Sequence, residues 1–273
     1  MRKRWMAAAA LGLLLLAVLA VSVSAAGAKW PAKPGAKSGG VKKNGKLQVD
    51  VANAQNGYIQ AALQKKSSKR MKLRVKKGSN TLTYDLNGDA AYEVFPLQLG
   101  NGKYEITLYE NVKGKSYTAA GSITLNVKLS DQEACYYYPN QYVNYNQRTP
   151  AVIQADRLCS GMKPAEAFDA VRGYIKSNFA YDYIKAINIK SGILPDIDGA
   201  WKKHMGICQD LSAITCCMLR TQGLPARLMI GMADNNYHAW VVVKMNGKEQ
   251  LYDPTAAVNG IANVKKYTVE RYY

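Results

Sequence analysis

The sequence predicts an α+β protein in which a small all-β module precedes a mixed helix-and-sheet domain. Three observations predict it. Short runs of alternating apolar residues, broken by turn residues, fill positions 47–130. Helical spacing takes over from position 150. Apolar strands rich in β-branched residues return from position 226. With 273 residues, 48% of them hydrophobic, the chain can build one large domain or two modest ones, and disorder fails as a description of the whole. Five Cys and 22 Gly without a period exclude a disulfide miniprotein and a collagen.

Residues 1–28 read as an export signal. Arg2, Lys3 and Arg4 precede an apolar run from Met6 to Val23, and Ala26-Gly27-Ala28 offers a cleavage site. An uncleaved segment of this length would instead anchor the chain, so membrane attachment is expected only in that case. The remainder is expected to be secreted or extracytoplasmic, at the cell wall or the membrane. Residues 29–46 hold six Lys, two Pro, four Gly and no acid, the composition of a flexible basic linker.

Charge is uneven. Residues 29–130 carry 18 Lys and Arg against six Asp and Glu, whereas residues 131–273 carry 16 against 13. The cationic face therefore belongs to the front half, notably Lys65, Lys66, Lys69, Arg70, Lys76 and Lys77. Outside the cytoplasm its natural counterpart is an anionic cell-wall polymer, and export argues against nucleic acid. Nineteen Tyr against three Phe favour strands and binding surfaces.

In the 47–130 module we expect seven strands at LQVDVA, YIQAAL, MKLRVKK, TLTYDL, YEVFPLQL, YEITLYE and SITLNVKL. Asn56-Gly57, Asn87-Gly88 and Asn101-Gly102 are the expected tight turns. This is the pattern of a small Ig-like β-sandwich, and it holds no His, no Cys and no paired carboxylates. Its expected role is binding or spacing.

Residues 131–273 carry the chemistry. Helices are expected over 150–161 and 164–178, the second with Ala167, Val171 and Ile175 on one face, and a Gly-, Pro- and Asp-containing loop over 191–199. Gly206 permits a tight turn into a helix that begins near Cys208, where the dipole favours a thiolate, and ends at Gly223. Two strands, 226–232 and 237–244, follow, and Asn246-Gly247 turns the second into 248–255. With Met245 facing Lys248, His238 and Asp253 become diagonal neighbours on one face of the hairpin. A thiol, an imidazole and a carboxylate so placed make a nucleophile, a base and an orienting group.

Gly206-Ile207-Cys208-Gln209-Asp210, Gly223-Leu224-Pro225-Ala226-Arg227, Gly231, His238-Ala239-Trp240 and Asp253-Pro254-Thr255 together resemble the transglutaminase-like superfamily. The resemblance covers about 165–256 and implies a papain-like core behind the sandwich. It implies Cys208 as nucleophile, His238 as base and Asp253 as orienter, with Tyr181 matching an aromatic that bacterial members carry before the Cys helix. Candidate oxyanion or substrate contacts are the Cys208 backbone N–H, Trp201, Gln209, Tyr181 and Trp240. The family's animal enzymes depend on calcium, but no acidic cluster of that type occurs here, and no cofactor or metal is expected. His204 and Cys208 lack a second ligand pair for zinc. Cys216 and Cys217 fit a helix core, His204 a surface loop, and Cys135 with Cys159 is a candidate disulfide. Residues 135–149 are a candidate lid.

The expected function is cysteine-dependent acyl transfer on carboxamide or peptide bonds of a protein or peptide substrate. An amine acceptor makes the protein a transglutaminase, and water makes it an amidase or peptidase. The alternative is a non-catalytic envelope-binding protein that retains the fold.

Overall fold

The computed structural model describes residues 27–261 and 264–273. The export signal read over 1–28 lies outside them, apart from Gly27 and Ala28. Among the described residues no helix is long and apolar enough to cross a membrane.

Alternation in the front half becomes two four-stranded antiparallel sheets facing each other. One has the order β1 (Val41–Asn44), β2 (Leu47–Asp50), β3 (Tyr58–Leu63) and β6 (Glu93–Pro96). The other has β5 (Asn80–Leu86), β4 (Met71–Lys77), β7 (Gly102–Lys113) and β8 (Ser116–Val127). Leu73, Val75, Ile106 and Leu108 from one sheet meet Leu47, Val49, Ile59 and Ala61 from the other in a single buried core. Burying such alternating side chains removes apolar surface worth roughly 25 cal/mol per Å² from water.

Two expectations for this half need correction. Residues 29–46 are docked rather than free. Trp30 packs edge-on against Tyr145, Lys29 sits over the Tyr137 ring, and Val41–Asn44 pairs with β2. Composition misses this because β1 needs no apolar face of its own: its ladder to β2 supplies the backbone bonds. The tight hairpins also fall elsewhere. Two-residue turns close Asn44 onto Leu47, Lys77 onto Asn80 and Lys113 onto Ser116. Asn56 instead ends a short 3-10 turn, and Asn101 gives its side-chain oxygen to the Leu129 N–H.

In the second half, α1 (Pro150–Cys159) and α2 (Pro164–Asn178) form as spaced, with Ala167, Val171 and Ile175 buried. A parallel two-stranded bridge joins β9 (Ala180–Tyr181) to β10 (Met205–Gly206), with α3 (Tyr183–Asn188) and α4 (Ile197–Lys203) between them. Next, α5 (Cys208–Thr221) packs on an antiparallel sheet of order β13-β12-β11-β14. These strands are β11 (Ala226–Ala233), β12 (Asn236–Met245), β13 (Lys248–Tyr252) and β14 (Tyr267–Tyr272), with α6 (Pro254–Asn259) before the last. A helix that begins at Cys208 and lies on an antiparallel sheet is the papain-like arrangement that the resemblance implies.

The Tyr surplus joins the two halves. Tyr142 stacks on Tyr273 at 3.5 Å between centroids, Tyr273 meets Tyr84 of the sandwich edge-on, and Tyr58 packs on Tyr138. Residues 135–149 therefore form a wedge rather than a lid, since Val143 and Tyr145 are buried in the shared core. Arg220 pins this junction. It is fully buried and donates to the carbonyls of Ala226, Tyr138 and Tyr273 at 2.9, 2.6 and 2.9 Å. Arg220→Met removes these three bonds, at on the order of 1–3 kcal/mol each, although the Tyr273 carbonyl keeps the Leu228 N–H. We expect a lowered urea midpoint, whereas an unchanged midpoint would remove Arg220 from this role.

Candidate active site

Cys208 is the first residue of α5, half-buried, at the end of the helix where unpaired N–H groups point outward. The turn that delivers it is fixed by its neighbours. Asp210 is fully buried and accepts from the Ile207 and Asp196 N–H groups at 3.0 and 2.9 Å, and from Lys185 at 2.6 Å. Gly206 lies so close to this helix that an added Cβ would stand 2.8 Å from the Asp210 Cβ. The G-x-C-x-D pattern is thus a packing solution: the Gly admits the Asp, and the Asp ties the loop ahead of α4 to the start of α5.

The hairpin register is the one calculated. Met245 pairs with Lys248 and Val241 with Tyr252 across the Asn246-Gly247 turn. The strand stops one residue before Asp253, which serves as the N-cap of α6, accepting from the Ala256 N–H at 3.0 Å, with Pro254 in the first turn. That bend brings the carboxylate back over the hairpin, and its Oδ2 lies 2.8 Å from His238 Nε2. The other ring nitrogen, Nδ1, remains for the thiol.

Electrostatics hold this pair in its charged form. Burial opposes protonation of His238, but hydrogen bonds and charges from Asp253 and Cys208 outweigh it and raise the pKa from 6.5 to about 9. Burial likewise acts to raise Asp253, yet the His238 hydrogen bond and charge, the Ala256 N–H and Tyr267 hold it below the usual carboxylate range. The remaining four cysteines are free and buried. Burial pushes Cys135 and Cys216 up to about 12 and Cys159 to about 11, and Cys217 goes well above its ordinary value for the same reason. The candidate disulfide is absent: both thiols are free, Cys135 lies buried beside Tyr136 at the start of the tyrosine wedge, and the Cys159 thiol bonds the Ala167 carbonyl at 3.8 Å.

Cys208 and His238 open into a cavity of about 530 Å³, lined also by Tyr142, Tyr181, Ile193 and Tyr237. Of the other residues singled out above, Tyr181 and Gln209 are on its wall. Burial first, then the Cys208 charge, raises the Tyr181 hydroxyl to about 12, so it stays a donor. Gln209 donates its Nε2 to the Ile193 carbonyl at 3.1 Å and thereby fixes the loop that closes one side. Trp201 and Trp240 do not line the cavity. Trp201 stacks on Tyr174 and meets Phe179 at a tilt, and His204 caps α4 beside them. Trp240 is buried, with its ring flanking His238 at 6.4 Å and Tyr267 at 4.8 Å. Among the described residues, no group of three His, Cys, Asp or Glu side chains could hold a metal.

Sequence reading missed Tyr267. Its hydroxyl donates to Asp253 Oδ2 at 2.9 Å, the same oxygen that holds His238. It arrives on β14, which lies against β11 because Gly231 has no Cβ; one placed there would be 2.0 Å from the Thr268 carbonyl. That glycine is the only sequence signal for it. Tyr267 is a candidate positioning residue, and removing its hydroxyl with Tyr267→Phe is expected to let the Asp253 pKa rise. The acid limb of the pH–rate profile is expected to move to higher pH with KM little changed, and an unmoved limb would contradict that role.

A protein-family model described as the transglutaminase-like superfamily matches residues 154–254. No curated protein matches the chain. Among solved structures, a cysteine-protease candidate from Cytophaga hutchinsonii is 12% identical, with 82% of each chain covered and a TM-score of 0.40. The periplasmic domain of TgpA from Pseudomonas aeruginosa, bound to ethylmercury, is 15% identical over 81% of this chain and 76% of that one, with a TM-score of 0.37.

Proposed function

Residues 154–254 belong to the transglutaminase-like superfamily, and on that premise we propose an extracytoplasmic enzyme that acts on carboxamide or peptide bonds through a Cys208 thioester. The observation that carries the proposal is the Cys208 thiol sharing one cavity with a His238 ring whose far nitrogen is held by Asp253. In the first half-reaction the Cys208 sulfur attacks the carbonyl carbon, and the C=O electron pair moves to oxygen. When that pair returns, the C–N bond breaks and the departing nitrogen takes its proton from His238. In the second, water or an amine attacks the thioester, His238 takes the proton, and the sulfur leaves. Asp253 keeps the ring oriented and stabilises its charged form throughout. The Cys208 N–H at the start of α5 is the candidate donor to the oxyanion.

A polypeptide substrate agrees with the cleft. Ile189, Ile193, Tyr181 and Tyr237 give it apolar walls, and Ile184 and Ile187 stand exposed on the adjacent α3. Arg271, bonded to the Tyr237 hydroxyl at 2.6 Å, places a cation on the same wall. An anionic wall polymer remains the proposed counterpart of the sandwich, although Lys46, Lys69 and Lys72 are paired with Glu110 and Asp85. Salt-independent retention on purified cell walls would remove that part of the reading. The acceptor is decided by incubating the protein with a labelled primary amine and a glutamine-containing protein. Incorporation identifies a transferase; ammonia or peptide release without incorporation identifies a hydrolase; neither product overturns the proposal.

A further inference from the structure

Beside the Cys208 cleft lies a larger cavity of about 780 Å³ to which no role has been given above. Its walls come from four separate segments: Trp30 of the docked front segment, Tyr92 and Glu93 of the sandwich, residues 139–141 and 144–148 of the wedge, and Leu194. Two segments separate it from the catalytic cleft. Gln141 faces this cavity and Tyr142 the cleft; Leu194 faces this cavity and Ile193 the cleft. The two spaces are therefore neighbours on either side of one thin wall. Gln209 in the first turn of α5 holds that wall by its bond to Ile193.

The lining is unusual in kind. Asn140, Gln141, Asn144, Asn146 and Gln147 place five side-chain amides in eight consecutive residues on it, and Trp30 and Tyr92 add aromatic rings. Charge is sparse and opposed, with Glu93 and Arg148 alone. Glu93 is already occupied, accepting from the Asn87 N–H and from Gln141 Nε2 at 2.8 Å each, which fixes the Gln141 amide. Asn140 is buried, and its Oδ1 accepts from the Tyr142 and Val143 N–H groups at 2.9 and 3.0 Å. That double acceptance fixes which end of the amide is the nitrogen. Its Nδ2 then has no partner in the protein. A buried donor without an acceptor is costly by about 1–3 kcal/mol, and an incoming oxygen would relieve it.

We propose that this cavity is a subsite for an uncharged oligosaccharide belonging to the substrate presented to Cys208. The assignment rests on the acyl-transfer reading for its link to the reaction, but not for its chemistry. A planar amide offers a donor and an acceptor side by side, which matches the paired hydroxyls of a sugar. An aromatic face covers the apolar C–H face of a pyranose ring. Near-neutral lining disfavours a polyanion or a charged peptide. The catalytic cleft differs in its charge and its aliphatic side chains, with Lys190 and Arg271 beside Ile189, Ile193 and Ile230, so one substrate carrying both a peptide and a sugar chain would fill both spaces.

The test uses the full chain with Cys208→Ala, so that binding is read without turnover. Chitotetraose and cellotetraose are titrated while tryptophan fluorescence and calorimetric heat are followed, with Ala-Gln-Ala-Gln as the peptide control. One of the two sugars is expected to bind. Its affinity should fall about tenfold in Trp30→Ala and in the surface variants Asn144→Ala and Gln147→Ala. Asn140→Asp keeps both N–H caps while removing the orphan donor, and is expected to weaken binding to a similar degree. Absence of sugar binding, sugar binding indifferent to all four substitutions, or preference for the peptide in this cavity would overturn the proposal. Iodoacetamide labelling of Cys208 in the same four substitutions on the wild-type background reports separately on the acyl-transfer reading.

Discussion

Cys208→Ala is expected to reduce amine incorporation and hydrolysis by roughly 10³-fold or more while leaving the fold intact. The magnitude follows from the role: without the sulfur no thioester can form, and only the binding and oxyanion contributions remain. The fold should tolerate the change because Cys208 is half-buried at the first position of α5, and the capping at that end comes from Asp210 rather than from the thiol. Circular dichroism and the urea midpoint should match the wild type. Retained turnover in a folded Cys208→Ala protein would mean that the chemistry lies elsewhere.

Asp253→Asn is the second large effect. The carboxylate that holds His238 Nε2 would become an amide, which fixes the ring less well and no longer stabilises its charge. Activity is expected to fall roughly 10²–10⁴-fold. The pH profile should change as well. His238 is held at about 9, so the alkaline limb of the wild type should lie near that value, and in Asp253→Asn it should move down toward 6.5. Stability follows the same pair. A raised His238 contributes stability that is complete below 6.5 and lost as pH rises through about 9. A lowered Asp253 contributes stability that is complete above 3.8 and lost as pH falls through its folded value. The wild type should therefore gain from the pair between these limits, and Asp253→Asn should lose that plateau. Urea midpoints taken across pH check the sign, and identical profiles would contradict the coupling.

What the sequence made legible was whatever depends on local pattern. The register of the β12–β13 hairpin followed from one Asn-Gly turn, and the buried face of α2 from three residues spaced four apart. The Cys208 helix start was readable because Gly206 and Asp210 bracket it. Asp253 was placed beside His238 for a partly mistaken reason, as a strand residue. Asp-Pro-Thr is also a helix start, and the N-cap geometry, rather than a longer ladder, turns the carboxylate toward the imidazole. Long-range packing was not legible. Tyr267 reaches Asp253 from a strand that returns across the sheet, and only Gly231 hinted that another backbone comes so near. Trp201 and Trp240, read as site aromatics because they neighbour the motif, are instead packed within and behind it. The docking of residues 29–46 likewise depends on partners, Tyr145 and β2, that composition cannot supply.

Brief alkylation read by mass spectrometry measures most directly whether Cys208 is the chain's activated thiol. Native protein is treated with substoichiometric iodoacetamide at neutral pH, quenched, digested and mapped, beside His238→Ala. The prediction is rapid modification confined to Cys208 in the wild type, slowed strongly in His238→Ala, with Cys135, Cys159, Cys216 and Cys217 unmodified. Slow labelling of Cys208 that is indifferent to His238 would contradict it.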